Sequence, residues 1–281
     1  MKNNLILAFI ILSNLSVAQV ITPQPSPKST LNQTVGITEI EISYSRPGVK
    51  GRKVFGDLVP YDKFWRTGAN SATQISINKP IVISGTELLK GSYALLIKPS
   101  KNQWLVNFYT YVKGDWKFYK DQTPVVSTSL DTKPLSEKVE SFTIDITDFT
   151  DNGAHLEIKW ENTLVGIPFE VKTAEQVENQ IERFSKNPLK NVSNDYYKAA
   201  SYNLSVNKDL NLALEWINEA VKIRPEAYWM LGKKAEIEVA LGMQKEALDT
   251  YEKSTALATK ANSLNFVAQN NKAVAAIKKA K

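Results

Sequence analysis

The hydrophobic period of this chain changes once along its length, and that change constrains the fold more than any other feature. Up to about residue 171 apolar side chains recur at every second position. From about Ala174 the β-branched alternation stops, and Ala, Leu, Glu, Lys and Asn follow a helical pattern. The chain therefore reads as α+β in two domains: an antiparallel β-sandwich or jelly-roll-like domain over 36–171, then an all-α, tetratricopeptide-like domain over 172–281.

Within the first part, Glu39-Ile40-Glu41-Ile42-Ser43-Tyr44-Ser45-Arg46 alternates strictly. The same period returns around Ile75, Leu95, Val106, Ile144, Ile158 and Ile167, with Ser84-Gly85, Lys90-Gly91 and Asp151-Asn152-Gly153 as turn signals. About eight or nine short strands without helical spacers predict antiparallel pairing. Pro80 and Pro168 predict edge strands, because proline cannot donate to a ladder.

In the second part Ala213, Leu214, Ile217 and Ala220 recur as Ala247, Leu248, Tyr251 and Ser254, at an offset of 34 residues. That is the tetratricopeptide period. Tyr228-Trp229-Met230-Leu231-Gly232, Leu241-Gly242 and Glu246-Ala247-Leu248 resemble one such unit, with a poorer copy from about Asn194 to Pro225. Lys234 and Glu238 depart from the family pattern, where apolar or aromatic residues are usual. About six helices are expected, forming a small solenoid with caps.

The N-terminus sets the address. Lys2 precedes the apolar run Leu5 to Leu12, and Ser16-Val17-Ala18 offers small residues for a cut before Gln19, the layout of a secretory signal peptide over 1–18. The run is shorter than the about 20 residues a spanning helix needs, so no membrane span is expected after cleavage. Residues 19–35 read as an extended Pro-rich leader. The expected location is the periplasm, or the extracellular or outer surface.

Composition then narrows the chemistry. No Cys and one His remove thiol nucleophiles, Cys-ligated metals and any two-imidazole site, so no cofactor and no metal is expected. The formal net charge of +6 divides into 17 basic against 16 acidic residues over 19–171 and 17 against 13 over 172–281, with Lys2 making up the rest. Without a basic stripe, nucleic acid is not an expected partner. His155 shares a polar strand face with Glu157 and Lys159, which favours a solvated imidazole over a catalytic base. Asp148, Asp151 and Asn152 do not match a calcium loop and read as a hairpin turn.

The distinctive chemistry lies between Tyr44 and Thr73. A connection of that length is usually functional or disordered, and Phe55, Tyr61, Phe64 and Trp65 argue against disorder. Arg46 falls in phase with Ile40, Ile42 and Tyr44, aiming a guanidinium at the core or a cavity mouth, where it needs Asp57, Asp62 or an external anion. Ser45-Arg46-Pro47, Lys50-Gly51-Arg52, Phe55-Gly56, Val59-Pro60-Tyr61 and Trp65-Arg66-Thr67-Gly68-Ala69-Asn70, with Gly91-Ser92-Tyr93 and Trp160-Glu161, resemble the signature of the secreted bacterial domain of unknown function 2911 over about Pro23 to Val171. The resemblance implies a bacterial envelope setting and a shared structural unit, with no catalytic residue to transfer; some members carry similar helical extensions.

Arg46, Arg52, Tyr61, Trp65, Arg66 and Asn70 are the candidate ligand-binding residues. Arg supplies planar forks for anions, and the aromatics supply faces for a sugar ring. Core filling is the competing reading for Trp65, as internal pairing is for the arginines. The functional expectation is a binding or interaction protein whose loop 46–70 holds an anionic or carbohydrate ligand and whose helical repeat holds a protein. A carboxylate-dependent hydrolase of envelope glycans and a purely structural scaffold are the alternatives.

Overall fold

The computed structural model describes residues 22–186 and 192–279. The expected signal peptide and its cut before Gln19 lie outside the described residues. The chain divides between Gln176 and Val177 into two compact units.

Ten strands build the first unit: β1 (Lys28–Val35), β2 (Thr38–Ser45), β3 (Thr73–Ile77), β4 (Ile81–Ile83), β5 (Thr86–Leu88), β6 (Gly91–Pro99), β7 (Gln103–Thr110), β8 (Val126–Asp131), β9 (Lys133–Thr150) and β10 (Gly153–Val171). They form a six-stranded sheet, β1-β2-β3-β6-β7-β8, and a four-stranded sheet, β5-β4-β10-β9, with antiparallel pairing throughout. Alternation decides which face goes inward. In β2, Thr38, Ile40, Ile42 and Tyr44 are buried while Glu39 and Glu41 are exposed. The inner faces meet in one core in which Ile42, Leu95, Ile97, Trp104 and Phe108 pack with Phe142, Ile158, Trp160 and Ile167. A β-sandwich is the architecture that results.

Two expectations are corrected. The segment read as a leader over 19–35 supplies β1 from Lys28 onward, an edge strand paired with β2. Its solvent face, Lys28, Thr30, Asn32 and Thr34, is wholly polar, and only Val35 is fully buried. Neither proline marks an edge, because β4 and β10 are both inner strands. Pro80 immediately precedes the first residue of β4, where no ladder N–H is required. Pro168 lies beyond the last residue of β10 paired with β9, Leu164, and before the first paired with β4, Glu170.

β10 cannot be straight, since nineteen extended residues would span about 60 Å. Val171 N instead donates to Asn152 O at 2.8 Å, so the strand returns to its own start. The ladder with β9 is irregular about Glu161, whose φ is 55°. That reversal brings Trp160 to the end of the sandwich.

The second unit follows the 34-residue repeat. Its helices are α1 (Thr173–Lys186), α2 (Ser193–Ser205), α3 (Leu210–Ile223), α4 (Tyr228–Ala240), α5 (Gln244–Lys260) and α6 (Leu264–Lys279), with α1 beginning in the first unit. The repeated positions Ala213, Ile217 and Ala220 of α3 and Ala247, Tyr251 and Ser254 of α5 are all buried. Small residues there let neighbouring helices approach. Ser254 stays satisfied by donating to Tyr228 O at 2.8 Å while accepting from Asn270 Nδ2 at 2.9 Å, which ties α4, α5 and α6 together. Glu238 is 4% exposed; Lys234 Nζ lies 3.7 Å from Oε1, and Oε2 has no hydrogen-bond partner. Among the described residues no helix is long and apolar enough to cross a membrane.

Candidate functional site

The connection from β2 to β3 is pinned to both sheets. Around the Gly48–Ser141 bridge, Val49 N donates to Glu140 O at 2.8 Å and Phe142 N to Pro47 O at 2.9 Å, fixing the loop to β9. Trp65 and Ile97 exchange both backbone hydrogen bonds, at 2.7 and 2.9 Å, which fixes it to β6. Val49, Val54, Phe55, Val59 and Trp65 are buried between these anchors. The loop is thus a plug at one end of the sandwich.

Its path needs several left-handed residues, among them Lys50, Gly51, Gly56, Asp62, Thr67, Gly68 and Asn70. Glycine is required at two of them. A Cβ at Gly56 would stand 2.6 Å from Tyr61 Cε2, and one at Gly68 (φ +136°) would stand 2.8 Å from Ser45 O. Thr67, β-branched at φ 54°, is an outlier that costs about 1–3 kcal/mol. Its neighbours hold it there: Thr73 Oγ1 donates to Thr67 O, and Trp65 Nε1 donates to Gly68 O at 3.1 Å.

Trp65 anchors the plug. Its ring stacks on Trp160 with centroids 5.9 Å apart and an interplanar angle of 17°, and meets Phe55, Trp104 and Phe142 edge-on. Each such ring buries about 200 Å², worth about 5 kcal/mol of transfer free energy. Trp65 is 7% exposed, so core filling is its main work.

Beside this cluster is a cavity of about 300 Å³ lined by Lys50, Arg52, Leu58, Val59, Trp65, Arg66 and Trp160, with backbone and small residues from Pro25, Ser26, Pro47, Gly48, Gly68 and Ala69. The floor is aromatic and aliphatic, and the charged lining residues are all cations. Arg52 is held by its own loop, with Nε donating to Val49 O at 3.0 Å and Nη2 to Gly48 O at 2.7 Å. Arg66 Nη1 donates to Asn70 O at 2.9 Å, and its guanidinium lies 5.2 Å from the centroid of Trp116. Among the described residues neither arginine forms an ion pair with a carboxylate. The nearby Glu140 and Glu161 accept backbone N–H groups instead, from Lys50 at 2.7 Å and Val54 at 3.2 Å.

Of the six residues singled out from sequence, the cavity brings together Arg52, Trp65 and Arg66. Arg46, Tyr61 and Asn70 lie outside its lining. Arg46 does point toward the opposite sheet, but its bonds run to neutral acceptors on β9: Nε to Phe142 O at 3.0 Å and Nη2 to Thr143 Oγ1 at 2.8 Å. Tyr61 packs against the core beside Gly56, and Asn70 Nδ2 donates to Ser45 Oγ at 3.2 Å. His155 is half-buried on β10 and pairs through Nδ1 with Asp148 Oδ2 at 2.8 Å.

Sequence reasoning missed Trp160 as a wall of this site. It is 1% exposed, and its Nε1–H has no hydrogen-bond partner, unlike that of Trp65. The only signal was its phase with Leu156 and Ile158, which reads as core.

No curated protein and no solved structure matches the chain. The sequence profile of the family described as protein of unknown function (DUF2911) matches residues 26–169, a span that holds every strand but the last residues of β10 and the whole cavity lining except Pro25. More than half of the chain thus falls within that profile, and the chain belongs to the DUF2911 family.

Proposed function

We propose that this is an exported bacterial binding protein, working at the periplasm or outer surface, whose sandwich-end cavity takes an anionic or polyhydroxylated ligand. The observation that carries the reading is the cavity itself, where Lys50, Arg52 and Arg66 stand over an aromatic floor and no carboxylate is among the lining residues. Arginine forks held by neutral carbonyls keep their full charge and a fixed direction, which suits an oxyanion. The helical unit, on this reading, holds a protein partner against its repeat.

The test is ligand stabilisation of the full chain across a panel of organic acids, phosphates and envelope sugars, followed by thermal unfolding. An R52A/R66A double variant that folds but loses every stabilising response supports the reading. Equal responses from the variant and the parent sink it. Export is tested by the intact mass of protein recovered from the periplasm of a bacterial host, with Gln19 expected as the first residue and a retained Met1 refuting it.

Hydrolysis by a carboxylate pair is less well supported. Glu39 and Glu41 do share an outer hollow of the six-stranded sheet with Asn32, Ser76, Asn78 and Ser92. That hollow is an open strand face, and Glu39 is already engaged by Asn78 Nδ2 at 2.9 Å.

A further inference from the structure

The indole N–H of Trp160 is an unpaired donor in a side chain that is almost wholly buried. Leaving such a group without an acceptor costs about 1–3 kcal/mol. Trp65, stacked on it at 5.9 Å, shows the ordinary solution, since its own Nε1–H is taken up by Gly68 O. Trp160 lines the same cavity as Lys50, Arg52 and Arg66. The cavity wall thus carries three cations together with the side chain that holds this unpaired donor. Leu58, Val59 and the two indole rings would meet whatever carries the acceptor. A bare inorganic anion would leave these apolar surfaces wet. A neutral sugar would leave the guanidinium charges of Arg52 and Arg66 uncompensated.

We infer that the ligand of this cavity is an amphiphilic oxyanion: a carboxylate or phosphate head on a compact apolar body, with the head accepting from Trp160 Nε1–H and the arginine forks while the body rests on the Trp65, Val59 and Leu58 surface. This rests on reading the cavity as a binding site and narrows that reading from anion-or-sugar to one class. The volume of about 300 Å³ has room for a body of a single ring or a short branched chain.

The experiment follows the indole N–H signals of the full chain by ¹⁵N NMR, with W160F used to assign the Trp160 signal. The probes are benzoate, phenyl phosphate, inorganic phosphate and benzyl alcohol. Benzoate or phenyl phosphate should move the Trp160 signal saturably, and inorganic phosphate, which lacks the apolar body, and benzyl alcohol, which lacks the charge, should each need at least about tenfold higher concentration. Which of the two aromatic anions binds more tightly separates a carboxylate from a phosphate head. W160F, which leaves a single benzene ring in place of the indole and removes the donor, should weaken the better probe about tenfold. A Trp160 signal unmoved by both aromatic anions overturns the inference, as does equal binding of benzyl alcohol. If R52A/R66A abolishes binding while W160F binds within twofold of the parent, the cavity remains a site and the role given to Trp160 falls. Should W160F fail to fold, the contrast between benzoate and benzyl alcohol on the parent decides.

Discussion

Arg46 gives the sharpest test of how the plug is held. It leaves the end of β2 and bonds across the sandwich to Phe142 O and Thr143 Oγ1 of β9, so it ties one sheet to the other. Hydrogen bonds from a charged donor are worth about 1.5–3 kcal/mol each when dry. Arg46 is only partly buried, and water replaces part of each bond once the side chain is gone. About 1 kcal/mol per bond, plus lost packing of the alkyl stem, puts Arg46→Ala at about 2–3 kcal/mol of destabilisation. Arg46→Lys reaches one acceptor at a time and should recover about half. Arg66→Ala, which loses one exposed bond to Asn70 O, should cost under about 1 kcal/mol.

Because the chain has two units, a single melting curve would mix them. Hydrogen exchange read peptide by peptide avoids that. In Arg46→Ala, amides of β2 and of the middle of β9 should exchange about thirtyfold faster, which is the factor for 2 kcal/mol. Peptides from α3 to α6 should not change. Since Arg46 lies outside the cavity lining, the affinity of the aromatic anion probes should stay within about twofold. Unchanged exchange in both β2 and β9 would show that the tie carries no stability, and a selective loss of probe binding would move Arg46 into the site.

Two other perturbations probe the backbone and the helical unit. Gly68→Ala combines a left-handed φ with a Cβ 2.8 Å from Ser45 O, and should lower the stability of the β unit by about 2–4 kcal/mol; hydrogen exchange of the β-strand amides that speeds by less than about tenfold would refute the steric argument. The Tyr251 phenol is pushed up to about 12, first by burial and then by the charges of Glu236 and Glu238. The folded unit therefore keeps a proton that the unfolded chain loses above about pH 10, so stability is full below pH 10 and falls as pH rises toward 12. Tyr251→Phe should flatten that alkaline decline, measured by helical circular dichroism during urea unfolding at each pH, and an unchanged slope would refute it. Glu238→Leu removes a buried carboxylate with one unpaired oxygen and should raise the stability of the helical unit by about 1 kcal/mol. A loss of that size would mean the contact with Lys234 is worth more than its desolvation.

The parts legible in the sequence are those where burial repeats locally. The core face of β2 and the 34-residue recurrence of Ala213, Ile217 and Ala220 were readable because each buried position is one period from the next. β1 was not, since an edge strand with one fully buried residue leaves no alternation to detect. Its partner, β2, supplies the register. The reversal of β10 about Glu161 was equally hidden, as nothing within 153–171 besides a short polar stretch marks a change of direction.

The candidate site divides along the same line. Alternation predicted that Arg46 points inward, and it does, but its acceptors are set by the bridge of the Pro47–Val49 segment to β9, about one hundred residues away in sequence. Local chemistry therefore ranked Arg46 with Arg52 and Arg66, and only long-range pairing separates a tie from two cavity walls. Trp65 and Trp160 make the same case more strongly. Both are tryptophans in the core, and they stack as one pair. What distinguishes them is one carbonyl: the left-handed turn at Thr67 and Gly68 delivers Gly68 O to the indole of Trp65 and delivers nothing to that of Trp160. A turn whose strain costs about 1–3 kcal/mol thus satisfies one donor of a stacked pair and leaves the other to the cavity. If that turn is relaxed, as Gly68→Ala would force, the loss should appear at both indoles, with Trp65 freed from its carbonyl and Trp160 losing the wall that shapes the space beside it.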